Sequence, residues 1–168
     1  MTLWRPAYIG LGSNLGQPRA QILRAFERIA ALQQSLLVLR SPLYRSRPFG
    51  PVAQAEFVNA AAGLLTQLDA PTLLNELRSV EQVFGRPAEH ARWGPRVLDL
   101  DLLVFGREVR DERELRLPHP GIVERNFVLY PLADIAPDLI VPGLGRVAEL
   151  KGRVTSDGIW PLGNSETG

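Results

Sequence analysis

The sequence predicts an α/β (α+β) sandwich with a ferredoxin-like, split βαβ core: a mixed, mostly antiparallel sheet with helices packed on it. Three observations predict it. Short apolar runs alternate with two longer runs of helical period, in the order strand, helix, strand, strand, helix, strand. The chain has 168 residues, 45% hydrophobic and 22% charged, which suits one globular domain with a sizeable core. No repeat, low-complexity tract or linker divides it, so residues 1–168 read as a single domain.

Residues 7–11 are a short apolar strand, and 12–16, Gly-Ser-Asn-Leu-Gly, a turn. Pro18 opens an amphipathic helix to about residue 34, with Ile22, Leu23, Phe26, Ile29 and Ala30 on one face. Residues 36–44 read as a strand. Residues 46–56, with two prolines and a glycine, read as a long loop. Residues 57–68 form the next strand. Ala70-Pro71 starts a second helix, with Leu73, Leu74, Leu77, Val80, Glu81 and Phe84 at helical spacing, and Gly85 stops it. A second long polar loop spans 86–96, and an apolar strand spans 97–105. A charged hairpin-like segment runs through Arg116. Pro118-His119-Pro120 and short helical pieces follow to residue 136, and the tail from about 155 is expected to be loosely held.

Composition excludes several classes. No apolar run is long enough to span a bilayer, and the start lacks a signal-peptide pattern, so no membrane role and a cytoplasmic location are expected. Without cysteine there is no disulfide framework or thiolate metal site. A net charge of +1 gives no case for nucleic acid. Eighteen of the 19 basic residues are Arg, so an Arg counts as evidence only in an informative setting.

The strand at 97–105 is the informative setting. It is almost wholly apolar, yet Asp99 and Asp101 interrupt it. Residues two apart on a strand share a face, so both carboxylates point one way and Leu98, Leu100 and Leu102 the other. Two carboxylates roughly 6–7 Å apart repel at low dielectric, and a divalent cation relieves the repulsion. All-oxygen ligands suit Mg²⁺, which takes one or two carboxylates plus substrate phosphates. The same pair at an exposed strand end would merely neutralise nearby Arg. Arg86, Arg92 and Arg96 in the preceding loop tip the balance, because guanidinium forks bind phosphate oxygens. His119 is pinned between two prolines. Phe57 and Asn59 share a strand face, and with Phe127 could hold a flat heterocycle, although Phe residues more often belong to a core. The glycines at 10, 12 and 16 have neither the spacing of a dinucleotide turn nor that of a P-loop.

Together these segments resemble the 6-hydroxymethyl-7,8-dihydropterin pyrophosphokinase family of the folate pathway. The resemblance rests on YIGLGSNLG (8–16), YRSRPFGPVAQAEFVNA (44–60), RWGPRVLDLDLLVFG (92–106) and LPHPGIVERNFVLYPLADIAP (117–137). It implies transfer of diphosphate from ATP to the pterin hydroxymethyl group, with release of AMP. It implies that Asp99 and Asp101 bind two Mg²⁺ ions and act with Arg86 and Arg96 in catalysis. Arg86, Arg92, Trp93, Arg96, His119 and Arg125 would contact ATP. Phe57 and Phe127 would sandwich the pterin, Asn59 would bond its edge, and Ser46, Phe49 and Gly50 would line it. Glu81 and Gln54 match site-lining positions. ATP and the pterin are the expected partners, and a monomer is the expected state. Ala88 and Gly121 stand where relatives often carry basic side chains, and Phe57 stands where a Tyr would add a hydroxyl.

Two rival readings remain. A nucleotidyltransferase would place its Gly-Ser turn shortly before the Asp pair, but here Gly12-Ser13 lies more than 80 residues upstream. A non-catalytic nucleotide-binding module would not need the Asp pair.

Overall fold

The computed structural model describes residues 3–48, 50–85 and 97–163. Strand β1 (Arg5–Ser13) leads to helix α1 (Pro18–Ala30), then β2 (Ser35–Arg40), β3 (Tyr44–Ser46) and β4 (Phe57–Thr66). Helix α2 (Ala70–Val83) precedes β5 (Asp99–Phe105). Two short pairs, β6 (Arg110–Asp111) with β7 (Arg116–Leu117) and β8 (Ile140–Val141) with β9 (Gly145–Arg146), flank α3 (Asn126–Ile135). Helix α4 (Val147–Lys151) and β10 (Ile159–Pro161) end the described chain.

The main sheet runs β10-β3-β4-β1-β5, with β2 also pairing β4. The mixed sheet expected from sequence is antiparallel in every described ladder. The cause is topological: β1 and β2 run the same way across α1, and β4 inserts between them in the opposite sense.

Each helix start has a local cause. Pro18 opens α1, and Ile22, Ala25, Phe26 and Ile29 are buried beneath it, while Leu23 and Ala30, expected on the same face, are exposed. The Asp69 side chain caps α2 by accepting the Thr72 N–H at 2.8 Å, and Gly85, at φ +89°, follows the helix in a left-handed conformation. Helices α1 and α2 cover one face of the sheet through Ile9, Leu11, Ala60, Ala62, Leu98, Leu100 and Leu102. Helices α3 and α4 close a second, smaller core on the other face, around Ala61, Leu103, Val104, Ile122, Leu129 and Leu132.

Several boundaries differ from the sequence reading: β1 runs through Ser13 where a turn was expected from Gly12, α1 ends at Ala30 and not near residue 34, and two further differences have a clear local cause. The single strand expected at 36–44 is split at Ser41-Pro42. Proline has no N–H for a ladder, and the Ser41 side chain accepts the Ala61 N–H at 2.7 Å while the Ser41 N–H donates to Ala61 O. The tail expected to be loose from 155 is held through Leu162. Residues 159–161 pair with β3, and the Asn126 side-chain amide donates to Thr155 O and Asp157 O, each at 2.9 Å. Among the described residues no helix is long and apolar enough to cross a membrane.

Candidate active site

The period of two in three adjacent strands assembles the site. On β1, Ala7, Ile9 and Leu11 enter the α1/α2 core, so Gly10 and Gly12 fall on the opposite face. On β4, Val58, Ala60 and Ala62 do the same, leaving Phe57 and Asn59 beside Gly12. Leu98, just before β5, and Leu100 and Leu102 on it are buried, and Asp99 and Asp101 face the other way, paired in register with Gly12 and Gly10. A Cβ on Gly12 would lie 3.3 Å from Asn59 Oδ1 and 3.8 Å from Phe57 Cδ1. Bare Gly12 therefore keeps the floor between Asp99 and the Phe57–Asn59 pair clear, while Gly10 packs against the Leu103 side chain. Beyond Asp101 the ladder slips by one residue, and Leu103 and Val104 both join the α3 core. That bulge divides the face into a polar end and an apolar end closed by α3.

Asp101 is the electrostatic centre. Burial, and then the neighbouring Asp99 charge, push its carboxyl up to about 7. Between the two aspartates, the Leu100 N–H points out of the sheet edge and donates to the buried Glu81 carboxylate at 2.9 Å. Arg78 bonds the other Glu81 oxygen at 2.9 Å. Helix α2 thus satisfies the edge strand in the place of a further strand and holds the aspartates at fixed spacing. Among the described residues no group of three or more acidic, His or Cys side chains forms a complete metal cage. Two carboxylates at a clear, polar floor fit an ion that takes its remaining ligands from water and phosphate.

The Pro118-His119-Pro120 segment is tied to β5 by the His119 N–H, which donates to Leu103 O at 2.9 Å. The imidazole Nδ1 accepts the Gly121 N–H at 3.1 Å, which places the ring proton on Nε2. Nε2 lies 3.8 Å from Asp101 Oδ1. This is a polar contact and not an ion pair at neutral pH, because burial and then the Arg125 charge pull the imidazole down to about 4. Arg125, just before α3, reaches back toward this corner and also lies over the Phe127 ring, with Cζ 5.9 Å from its centroid.

The second half of the site is built on β3 and β4. The Asn59 amide donates to Ser46 Oγ at 2.6 Å, and both side chains are buried. Strand β3 is pinned to α3 by the Tyr44 hydroxyl, which donates to Asp134, and burial with that carboxylate raises the phenol above its ordinary value. Gly50, in the loop before β4, has φ +108°, a conformation that favours glycine. A cavity of about 520 Å³ opens beside Phe127, walled also by Arg47, Pro48, Asn126, Arg153 and Asp157.

The structure therefore brings Asp99, Asp101, His119 and Arg125 to one end of the face and Ser46, Phe57 and Asn59 to the other, with Phe127 next to Arg125. Phe49, Arg86, Arg92, Trp93 and Arg96 lie outside the described residues. Sequence reasoning missed the braces. Ser13 donates to Val97 O and accepts from the Gln21 amide at 2.9 Å, while Asn14 donates to Gln54 Oε1 at 2.8 Å and Ala55 O at 2.9 Å. One turn thereby steadies both the entry to β5 and the loop before β4. The available signal was a Ser-Asn pair flanked by glycines directly after a buried strand. Arg78 was missed as well, since one Arg among many on a helix carries no sequence signal.

Residues 8–137 match the model of the family described as 7,8-dihydro-6-hydroxymethylpterin-pyrophosphokinase. The chain is 46% identical over 155 residues to 2-amino-4-hydroxy-6-hydroxymethyldihydropteridine pyrophosphokinase of Pseudomonas aeruginosa, covering 92% of this chain and 95% of that one. It is 48% identical over 138 residues to the enzyme of the same name from Methylorubrum extorquens, covering 82% and 86%. Among solved structures, the fold resembles wild-type Plasmodium falciparum HPPK-DHPS with a TM-score of 0.69 at 13% identity, covering 89% of this chain and 43% of that one.

Proposed function

The chain belongs to the 7,8-dihydro-6-hydroxymethylpterin-pyrophosphokinase family, and from this premise we propose how its residues divide the work. The reaction is transfer of diphosphate from ATP to the hydroxymethyl group of the dihydropterin, in folate synthesis. The observation that carries the residue assignment is the shared face. Asp99 and Asp101 stand across from Gly10 and Gly12, on the same side of the sheet as Phe57 and Asn59. A polyphosphate laid at the aspartate end and a pterin at the Phe57–Asn59 end would meet over the glycine floor.

Asp99 and Asp101 would hold two Mg²⁺ ions, which when bound offset the charge of the diphosphate in transfer. Arg125 and the Nε2 proton of His119 supply donors to ATP at the same corner. Arg86, Arg92, Trp93 and Arg96 are assigned to ATP by the family motif, Arg86 and Arg96 in support of the transfer. Phe57 and Phe127 stack the pterin, and Asn59, held by Ser46, bonds its edge. Ser46, Phe49 and Gly50 border the ring. No side chain near the site is needed as a general base. The contribution of these residues is alignment and charge neutralisation, as phosphoryl-type transfers require. A single chain, working in the cytoplasm, suffices for this arrangement.

The test is the identity of the nucleotide product. Incubated with ATP, Mg²⁺ and the hydroxymethyl dihydropterin, the protein should release AMP in step with pterin consumption. Release of pyrophosphate, with AMP attached to the pterin, would replace this reading with nucleotidyl transfer.

A further inference from the structure

Gly121 occupies an unusual position. Its N–H donates to His119 Nδ1 at 3.1 Å. Its Cα carries the Arg125 guanidinium: a Cβ built on Gly121 would lie 2.6 Å from both Cζ and Nε of Arg125 and 3.0 Å from Nη1. No other neighbour comes as close, so the missing methyl is the seat of the guanidinium. Arg125 folds back by four residues, across the turn between the Pro-His-Pro segment and α3, and its charge is felt at both Asp101 and His119.

We propose that Gly121 is a positioning residue for ATP binding: its bare Cα seats the Arg125 guanidinium at the phosphate end of the site, while its N–H fixes the His119 ring. The proposal rests on the reading of Arg125 as an ATP contact. A side chain at 121 leaves the N–H and the His119 tautomer in place and evicts only the guanidinium. The atoms displaced are the far end of a flexible side chain, so the fold has little to lose. Gly121 has no left-handed backbone requirement either, since it is not among the glycines of positive φ. Glycine here therefore serves the neighbouring side chain and not the backbone.

The test is a double-mutant cycle on the full chain, with steady-state kinetics and thermal melts of Gly121→Ala, Arg125→Ala and the double variant. Arg125→Ala should raise the KM for ATP about tenfold or more, the scale of losing a hydrogen bond to a charged group. Gly121→Ala should raise it comparably with kcat largely retained and an unchanged melting temperature. In the Arg125→Ala background, Gly121→Ala should add nothing, because the group it evicts is already gone. The proposal falls if Gly121→Ala leaves the KM for ATP unchanged. It falls equally if the penalty persists in full without Arg125, or if the variant melts much earlier, since either result places the effect in the backbone. If Arg125→Ala itself leaves the KM for ATP unchanged, the assignment of Arg125 fails first and the role of Gly121 fails with it.

Discussion

The two faces of the central sheet are made by the same strands and do opposite work. On the α1/α2 face, Ala7, Ile9, Leu11, Leu98, Leu100 and Leu102 alternate into a core and are almost wholly buried. One residue along each strand, the other face presents Gly10, Gly12, Asp99 and Asp101. Leu100 and its two flanking aspartates are neighbours in the chain, yet one side holds the fold together and the other repels itself. The stability that the leucines supply allows the sheet to tolerate a pair of carboxylates that would destabilise an isolated strand. On the proposed reading, the parity of these strands separates the residues that serve the ligands from those that hold the fold.

This division can be broken by substitutions one residue apart. The largest effect should come from Asp99→Asn, which keeps shape and removes charge. Turnover with ATP and Mg²⁺ should fall about 10²- to 10³-fold or more, the scale of losing a principal electrostatic stabiliser of the transferring group, while the folded fraction of the protein is unchanged. Leu100→Ala should do the reverse. It should cost about 2–5 kcal/mol in denaturant unfolding, because it leaves a cavity at a fully buried site, with turnover per folded molecule largely kept. Equal losses of activity and stability in both variants would erase the distinction between the faces.

Two smaller effects sharpen it. Phe127→Ala should weaken pterin binding by about 1–3 kcal/mol, the scale of aromatic stacking on a flat heterocycle, as read by calorimetry with each ligand, and ATP binding should barely change. Equal loss for both ligands would return Phe127 to the core. The smallest effect is in the pH dependence of ligand-free stability. The Asp101 carboxyl is raised in the folded chain, so the folded state keeps a proton that the unfolded chain releases. Its contribution is fully present below the ordinary carboxylate range and is lost as pH rises through about 7. His119, lowered to about 4, tilts the curve the other way and loses stability as pH falls below its ordinary value. The difference between wild-type and Asp101→Asn melting curves isolates the carboxylate and should grow as pH rises from 4 to 8.

Period two and period 3.6 made the main elements legible in the sequence, and the Asp-x-Asp break in an apolar strand, read together with the Arg-bearing loop before it, pointed to the candidate site. The register between strands was not legible. Nothing in YIGLG says that its glycines lie opposite Asp99 and Asp101, because pairing over about 90 residues is decided by the whole sheet. The brace from Ser13 and Asn14 was hidden for the same reason, since Val97 and Gln54 are distant in sequence. The tail misled because its Gly-rich composition reads as loose, whereas backbone pairing with β3 and two carbonyl contacts to Asn126 hold it. Gly121 reads in the sequence as the loss of a basic side chain, and only the packing shows the guanidinium of Arg125 in its place.

The most direct measurement is the thermal melt of ligand-free Asp101→Asn at pH 8, run beside its magnesium-dependent turnover. If the aspartate face serves ligands at the expense of the fold, the variant melts at or above the wild-type temperature and loses turnover by orders of magnitude. A variant that melts well below wild type, yet turns over at a near-normal rate while folded, would make Asp101 a structural residue and contradict the division of the two faces.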